Sequence, residues 1–278
     1  MAKVAVLYVS LGKKYHVFWP EFYETFKKNF LKKSEVTYFV FSETRDLKYA
    51  DEKDVHIVDQ EDLGWPGNTL NRFDMFLKIE EELKDYDYTY FFNSNYLCTT
   101  EIKEEDFLPG DKNLVVTIHP RNYLKTPEQM PYDRNPESLA CIPMGEGEKY
   151  VMGGLNGGKT ANYLAMIKEL KKNTDIDSSK GVVAKWHDES HLNRYIIGRD
   201  DIQFLPPAYG YPEGFDFPFE PIMLLREKNR YFDVDAFKAK GIGGKIMVFL
   251  GRIKSRVAIR IRIRKMKQFF ISLFKKGK

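Results

Sequence analysis

Residues 88–97 read YTYFFNSNYL, and the fold turns on how they are read. Tyr88–Phe92 is an unbroken run of aromatic and β-branched side chains, the types that prefer a strand. It stops at Asn93-Ser94-Asn95, short polar residues that favour turns. On its own this triplet is a turn more often than a site.

Outward from this strand the pattern alternates. Lys3–Ser10 and Val36–Ser42 read as strands, Val55–Val58 as a short third, and Leu114–Ile118 as a later one. His16–Lys33 reads as a helix, with Trp19, Phe22, Phe26 and Phe30 at helical spacing and Pro20 in its first turn. Thr69–Leu83 reads as a second helix, with Leu70, Phe73, Phe76, Leu77 and Leu83 on its apolar side. Strand and helix in alternation over 120 residues predict an α/β domain with a parallel sheet. In such sheets ligands gather at the carboxyl ends of the strands. Asn93-Ser94-Asn95 and His119-Pro120 both fall there.

Beyond residue 120 the signal weakens. Residues 120–159 read as loop, Ala161–Lys172 as helix, and Trp186–Ile197 as the start of another. Five prolines in 203–221 predict irregular structure.

Composition sets the outer limits. With 278 residues and 43% apolar content, the chain can bury one sizeable core. Two scattered cysteines, Cys98 and Cys141, show no metal-ligand spacing and suit a reducing compartment. The opening MAKVAVLYVSLGKK reads as a first strand and lacks the pattern of a signal peptide. No window is long and apolar enough for a membrane-spanning helix. Charge is divided unevenly. Twelve of the 44 Lys and Arg lie in 241–278, which has no Asp or Glu, so the remainder carries 32 basic against 40 acidic residues. An acidic body with a basic tail predicts two functional parts.

Two motifs have familiar shapes in the wrong setting. Gly153 to Thr160 matches GxxxxGKT, but the short KYVM before it, in mid-chain, is not the strand a phosphate loop follows. His187 and His191 are four apart and could share a helix face for zinc. The general-base position after the first His is Asp188, however, and Glu189 points about 200° away from His187. The plainer reading is a helix start with acidic residues near its positive end. A third reading is catalytic, with Trp186 stacking on a sugar, Asp188 bonding hydroxyls and Glu189 beside a reacting carbon. His119 alone is most simply a partly buried histidine, and Arg72 a solvated charge.

In order, these stretches change the reading. They are the early strand ending near Lys14-Tyr15, NRFDMF with Arg72, Asn93-Ser94-Asn95, and HPRNY from His119. SLACIP (138–143), EGEKYVMGGLNGG (146–158), WHDESHLNRY (186–195) and REKN (226–229) follow. From about Lys3 to Asn229 the chain resembles glycosyltransferase family 6, which contains the blood group A and B transferases and the α1,3-galactosyltransferase. The resemblance displaces the phosphate-loop and zinc readings. It implies a GT-A fold over 1–235, with a Rossmann-like nucleotide-sugar-binding sheet and an acceptor-binding C-terminal half. It also implies retaining transfer of N-acetylgalactosamine or galactose from UDP to the 3-hydroxyl of a β-galactoside, with or without a fucosyl branch. By position, Tyr8 and Tyr15 match uridine contacts, and Arg72, Asn93 and Asn95 the donor site. Met152 and Gly154 match donor-selecting positions, and His119 and Trp186 acceptor contacts. Asp188 matches a donor-sugar contact, Glu189 the carboxylate nearest the anomeric carbon, and Lys228 a C-terminal pyrophosphate contact. The rival reading is a non-catalytic UDP-sugar or glycan-binding protein on the same fold.

Two departures matter. Animal members carry Asp-any-Asp and need Mn²⁺, whereas this chain has Asn-Ser-Asn; bacterial relatives are similar to it and work without metal. Hard cations are held mainly by carboxylate oxygens. Two amides lack that charge, so no metal cofactor is expected, and Arg72, Lys228 and Arg226 are expected to neutralise the leaving UDP. Animal members also have an N-terminal membrane span, and here none is seen. Small Gly154 favours N-acetylgalactosamine, while bulky Met152 leans towards galactose.

Residues 241–278 read as a basic amphipathic tail, with Phe249, Leu250, Ile253, Val257 and Ile261 on one helical side and Arg252, Arg256 and Arg260 in another row. Such a helix suits an anionic membrane surface rather than nucleic acid. The expectation is a cytoplasmic protein, peripheral on the inner face of the membrane, with a lipid-linked glycan as one form of acceptor.

Overall fold

The computed structural model describes residues 1–238; the tail expectations at 241–278 lie outside them. Ten strands run in chain order: β1 Lys3–Ser10, β2 Glu35–Ser42, β3 Val55–Asp59, β4 Tyr88–Phe92, β5 Tyr96–Cys98, β6 Leu114–Ile118, β7 Val151–Lys159, β8 Ile202–Leu205, β9 Tyr211–Pro212 and β10 Met223–Leu225. The helices are α1 Trp19–Asn29, α2 Gly67–Leu70, α3 Arg72–Leu77, α4 Glu80–Leu83, α5 Glu104–Phe107, α6 Thr160–Ser179, α7 Asp188–Ile196 and α8 Val234–Lys238. The main sheet has the order β3-β2-β1-β4-β7-β6-β8, and β5-β10-β9 form a small second sheet.

The parallel expectation holds for β1, β2, β3 and β4, and for the β6–β8 pair. It fails at β7, which is antiparallel to both β4 and β6. This strand is the segment read as loop and as a formal phosphate-loop match. Glycine is a poor strand former, which hid it. Packing explains the glycines: a Cβ on Gly157 would lie 2.2 Å from the Tyr90 ring. The reversal also has a functional consequence. It brings the start of β7 beside the carboxyl end of β4, where the Asn93 amide donates to the Gly154 carbonyl at 2.8 Å.

Helix α1 buries Trp19, Phe22, Tyr23 and Phe26 on one sheet face. Phe22 and Phe26 stack at 4.0 Å, and Phe26 meets Phe92 edge-on at 4.9 Å. The helix ends at Asn29, earlier than expected, because Phe30 is extended and Leu31 has φ 43°. The expected helix at Thr69–Leu83 is three short ones. Breaks at Asn71 and Ile79 bury Phe73, Met75, Phe76, Ile79 and Leu83 together, which one straight helix would not. The first break also places Arg72 at the start of α3, facing the sheet ends. Helix α6 runs seven residues beyond the expected Lys172, and β8 adds an edge strand inside the span expected to be irregular.

Candidate active site

The carboxyl ends of β1 and β4 open into a cavity. Tyr15, Arg72, Asn93 and Lys228 line it, together with Val9, Leu11, Trp65, Asn68 and Ser94. The first four are residues that the sequence nominated for the donor. The Lys228 ammonium lies 5.0 Å from the centre of the Tyr15 ring, and Phe232 and Phe237 pack on that ring at 5.2 and 5.1 Å.

Five nominated donor residues do not line the cavity: Tyr8, Asn95, Met152, Gly154 and Asp188. Tyr8 is fully buried, and its hydroxyl donates to the Ser94 carbonyl at 3.1 Å. Strand periodicity explains this: Tyr8 points beneath α1 against Trp19 and Phe22, while the neighbouring Val9 reaches the cavity. Asn95 is also buried. Its side chain donates to the Arg226 carbonyl at 2.7 Å, and its own carbonyl accepts from the Arg226 amide at 2.9 Å. Asn95 thus clamps the REKN segment onto the turn after β4. Arg226, expected to face the leaving group, is likewise committed elsewhere. It is 3% exposed, bonds Glu21 at 2.5 Å and the Phe18 carbonyl at 2.9 Å, and stacks over Phe18.

From the cavity a chain of contacts leads to Glu189. Arg72 pairs with Asp188 through one guanidinium nitrogen and stacks over Phe91 at 4.4 Å. Asp188 opens α7, and Glu189 follows it. Tyr150 donates to Glu189 Oε1 at 2.6 Å, and the Gly153 amide donates to Oε2 at 2.8 Å. Asn193 fixes this geometry by bonding both the Val151 amide and the Glu189 carbonyl. Burial pushes the Glu189 carboxyl up to about 7, while the Tyr150 and Gly153 hydrogen bonds pull the other way. The result is a carboxylate held rigidly next to Asp188 and titrating near neutrality.

Gly154 and Met152, nominated as donor-selecting, lie on the same strand as Gly153. A Cβ on Gly154 would sit 2.7 Å from the Asn93 side-chain nitrogen, so glycine leaves that space to the Asn93 side chain. Met152 is buried, accepts a long hydrogen bond from Tyr96 at 3.5 Å, and needs Gly210 opposite it, where a Cβ would be 2.3 Å from sulfur.

On the far side, His119 follows β6. Its amide donates to the Tyr150 carbonyl at 2.9 Å, and its Nδ1 accepts from the Arg121 amide at 3.1 Å. Burial lowers the imidazole to about 4, so it is neutral at pH 7, with the proton on Nε2 as a donor. Trp186 is 48% exposed, and its indole N–H is anchored on the Pro131 carbonyl at 3.0 Å.

The zinc alternative does not survive. His187 lies outside α7 at φ 55°, whereas His191 is buried against Asp177 at 3.6 Å. Among the described residues, no group of three His, Cys, Asp or Glu is placed to share a metal ion.

Sequence reasoning missed Tyr150 and the Trp65–Asn68 wall. Tyr150 lay inside a stretch read as loop, and the wall in an unassigned turn-rich segment. The Gly-Trp-Pro-Gly cluster at 64–67 was the available signal for the second.

A cavity at the strand ends walled by Arg72 and Lys228, a carboxylate reached from it through Asp188, and a neutral histidine beyond are the parts that a group-transfer site for a nucleotide-linked donor needs. The comparison with known proteins agrees. The profile of glycosyltransferase family 6 matches residues 3–228, and the chain belongs to that family. The O-antigen biosynthesis glycosyltransferase WbnI of Escherichia coli is 30% identical over 82% of this chain and 95% of its own. The rat histo-blood group ABO system transferase 1 is 29% identical over 71% of this chain and 58% of its own. The chicken globoside alpha-1,3-N-acetylgalactosaminyltransferase 1 is 27% identical over 80% and 65%. The protein is therefore a glycosyltransferase, with a GT-A-like fold, a nucleotide-sugar donor and a glycan acceptor.

Tyr150 yields a first prediction. If Glu189 acts ionised, kcat/KM rises with pH through about 7. Tyr150→Phe removes a hydrogen bond that favours the carboxylate, so this acidic limb moves to higher pH. A pH–rate profile that does not move shows that the Tyr150 bond leaves the acting group untouched.

Proposed function

We propose that the enzyme transfers N-acetylgalactosamine, or galactose, from its UDP form to the 3-hydroxyl of a β-galactoside, with retention and without a divalent metal. The observation that carries this reading is the Glu189 carboxylate, held by Tyr150 and Gly153 and joined to the cavity through its neighbour Asp188, which pairs with Arg72 of the cavity wall. As the bond from the anomeric carbon to the diphosphate breaks, positive charge grows on the ring and negative charge on UDP. Glu189 meets the first, either by bonding to the anomeric carbon or by stabilising an oxocarbenium-like state. In both routes the departing diphosphate takes the proton of the acceptor hydroxyl. Arg72 and Lys228 meet the negative charge. Neutral His119 donates to the acceptor, and Trp186 offers it a ring face.

Gly154 supports N-acetylgalactosamine as the donor sugar, because it leaves the space beside Asn93 open. The test is product structure: NMR of the product from each UDP-sugar and a β-galactoside should give an α-(1→3) linkage. A β linkage, or another acceptor position, contradicts the reading. The basic tail is proposed to hold the enzyme at an anionic membrane, beside a lipid-linked acceptor. Sedimentation with anionic vesicles that survives deletion of 241–278 contradicts that part.

A further inference from the structure

Beside His119 the surface carries an aromatic ladder that the donor chemistry does not use. Residues 214–220 read GFDFPFE. In an extended chain alternate side chains share a side, and Phe215, Phe217 and Phe219 do so. Their rings are almost parallel, with centres 5.7 and 5.4 Å apart and planes within 6° and 7°. Tyr211 and Tyr123 brace the row edge-on, Tyr211 at 5.5 and 5.7 Å and Tyr123 at 6.4 and 5.5 Å from Phe217 and Phe219. The backbone is fixed as well. The Tyr211 hydroxyl donates to the Phe215 carbonyl at 2.9 Å and accepts from the Phe217 amide at 3.1 Å. Even so, Phe215 at the end of the row is 45% exposed.

We propose that this ladder is an extended acceptor subsite, which holds sugar residues of the glycan beyond the one that receives the new bond. The inference rests on the acceptor reading given above. Continuity supports it: the Arg121 guanidinium lies 5.5 Å from the Phe215 ring, and the Arg121 amide is hydrogen-bonded to the His119 ring. The path from the candidate acceptor histidine to the ladder is thus two residues long. Chemistry supports it too. The C–H face of a pyranose is apolar and packs on the negative face of an aromatic ring, while its hydroxyls need polar partners at the ring edges. Exposed Arg121 sits at the end of the row as one such partner. Exposed Asp216 and Glu220, on the other side of this short segment, add negative charge within a Debye length, which argues against an anionic lipid surface as the occupant. Because the row is already braced, a glycan would not have to order it on binding.

The test compares two acceptors with the full-length enzyme: a β-galactoside disaccharide, and a hexasaccharide ending in the same disaccharide. The expected KM for the hexasaccharide is about tenfold lower, the value of one good ring stack. Phe215→Ala should abolish that advantage, and Phe215→Trp should keep it. Equal KM values in the parent enzyme, or an advantage that survives Phe215→Ala, overturn the subsite. Loss of vesicle sedimentation in Phe215→Ala with the length preference intact also overturns it, in favour of a membrane contact. Transfer to neither acceptor is a separate failure, because it removes the acceptor reading on which the subsite depends.

Discussion

Glu189→Gln is expected to lower kcat by about a thousandfold, the scale of about 4 kcal/mol of lost transition-state stabilisation, while UDP affinity stays within a few-fold. The amide preserves shape, and its oxygen can still accept from Gly153, but it brings no charge to the anomeric centre. The donor cavity walls at Tyr15, Arg72 and Lys228 are untouched. Stability should move the other way. The Glu189 pKa rises on folding from 4.5 to about 7. The folded state therefore binds its proton more tightly, and stability is lost as pH rises from about 4.5 through about 7. The ceiling on that loss is about 3 kcal/mol. Glu189→Gln removes this dependence, so thermal unfolding at pH 8 should give a Tm equal to or above that of the parent. A variant that is both inactive and less stable at pH 8 would show that the carboxylate is structural, and the catalytic assignment would fail.

Arg72→Met should be damaging for a different reason. Arg72 and Asp188 are both largely buried, with side chains 14% and 9% exposed. Removing one partner of such a pair leaves an uncompensated charge, at a cost of about 3 kcal/mol or more. It also removes a cation from the wall of the donor cavity, so turnover should fall by about a hundredfold or more. The two effects are separable. Arg72→Met combined with Asp188→Leu should recover most of the stability, because no buried charge is left unpaired, but none of the turnover. Denaturant unfolding and kcat measured on the single and double variants decide the matter. Recovery of both together would make the pair a structural element with no part in transfer. Arg72→Lys should not substitute well, since a point charge cannot stack on Phe91 and bond Asp188 in the same geometry.

The first 120 residues were legible because packing and pattern agree there. Lys3–Ser10 and Tyr88–Phe92 are apolar, β-prone and bounded by polar stops, and both strands stand where periodicity puts them. Legibility failed where a tertiary demand overrode a local preference. Val151–Lys159 is a central strand despite four glycines, because Tyr90 and the backbone at Asn113 leave no room for side chains. The helix expected from Thr69 is broken because five apolar residues must reach one core. At the site, WHDESH was legible through its resemblance, but the place of Glu189 beside Gly153 came only from the fold. Period-two geometry placed Tyr8 under α1 rather than in the cavity. Asn95 and Arg226 were invisible as a clamp because they are 131 residues apart and joined only by folding. Tyr150 carried no local signal at all, since its role depends on where the reversed strand begins.

That reversed strand and the amide triplet bear on the claim most exposed to test. If Asn93 leaves the charge of the departing UDP to Arg72 and Lys228, the reaction runs without a divalent ion. The direct measurement is transfer from UDP-N-acetylgalactosamine and UDP-galactose to a β-galactoside by protein stripped of metal, in excess chelator and then in excess Mn²⁺. Full turnover in chelator, with little gain from Mn²⁺, is the expected result. Turnover that vanishes in chelator and returns only with Mn²⁺ would contradict it and place the charge of the leaving group on a metal.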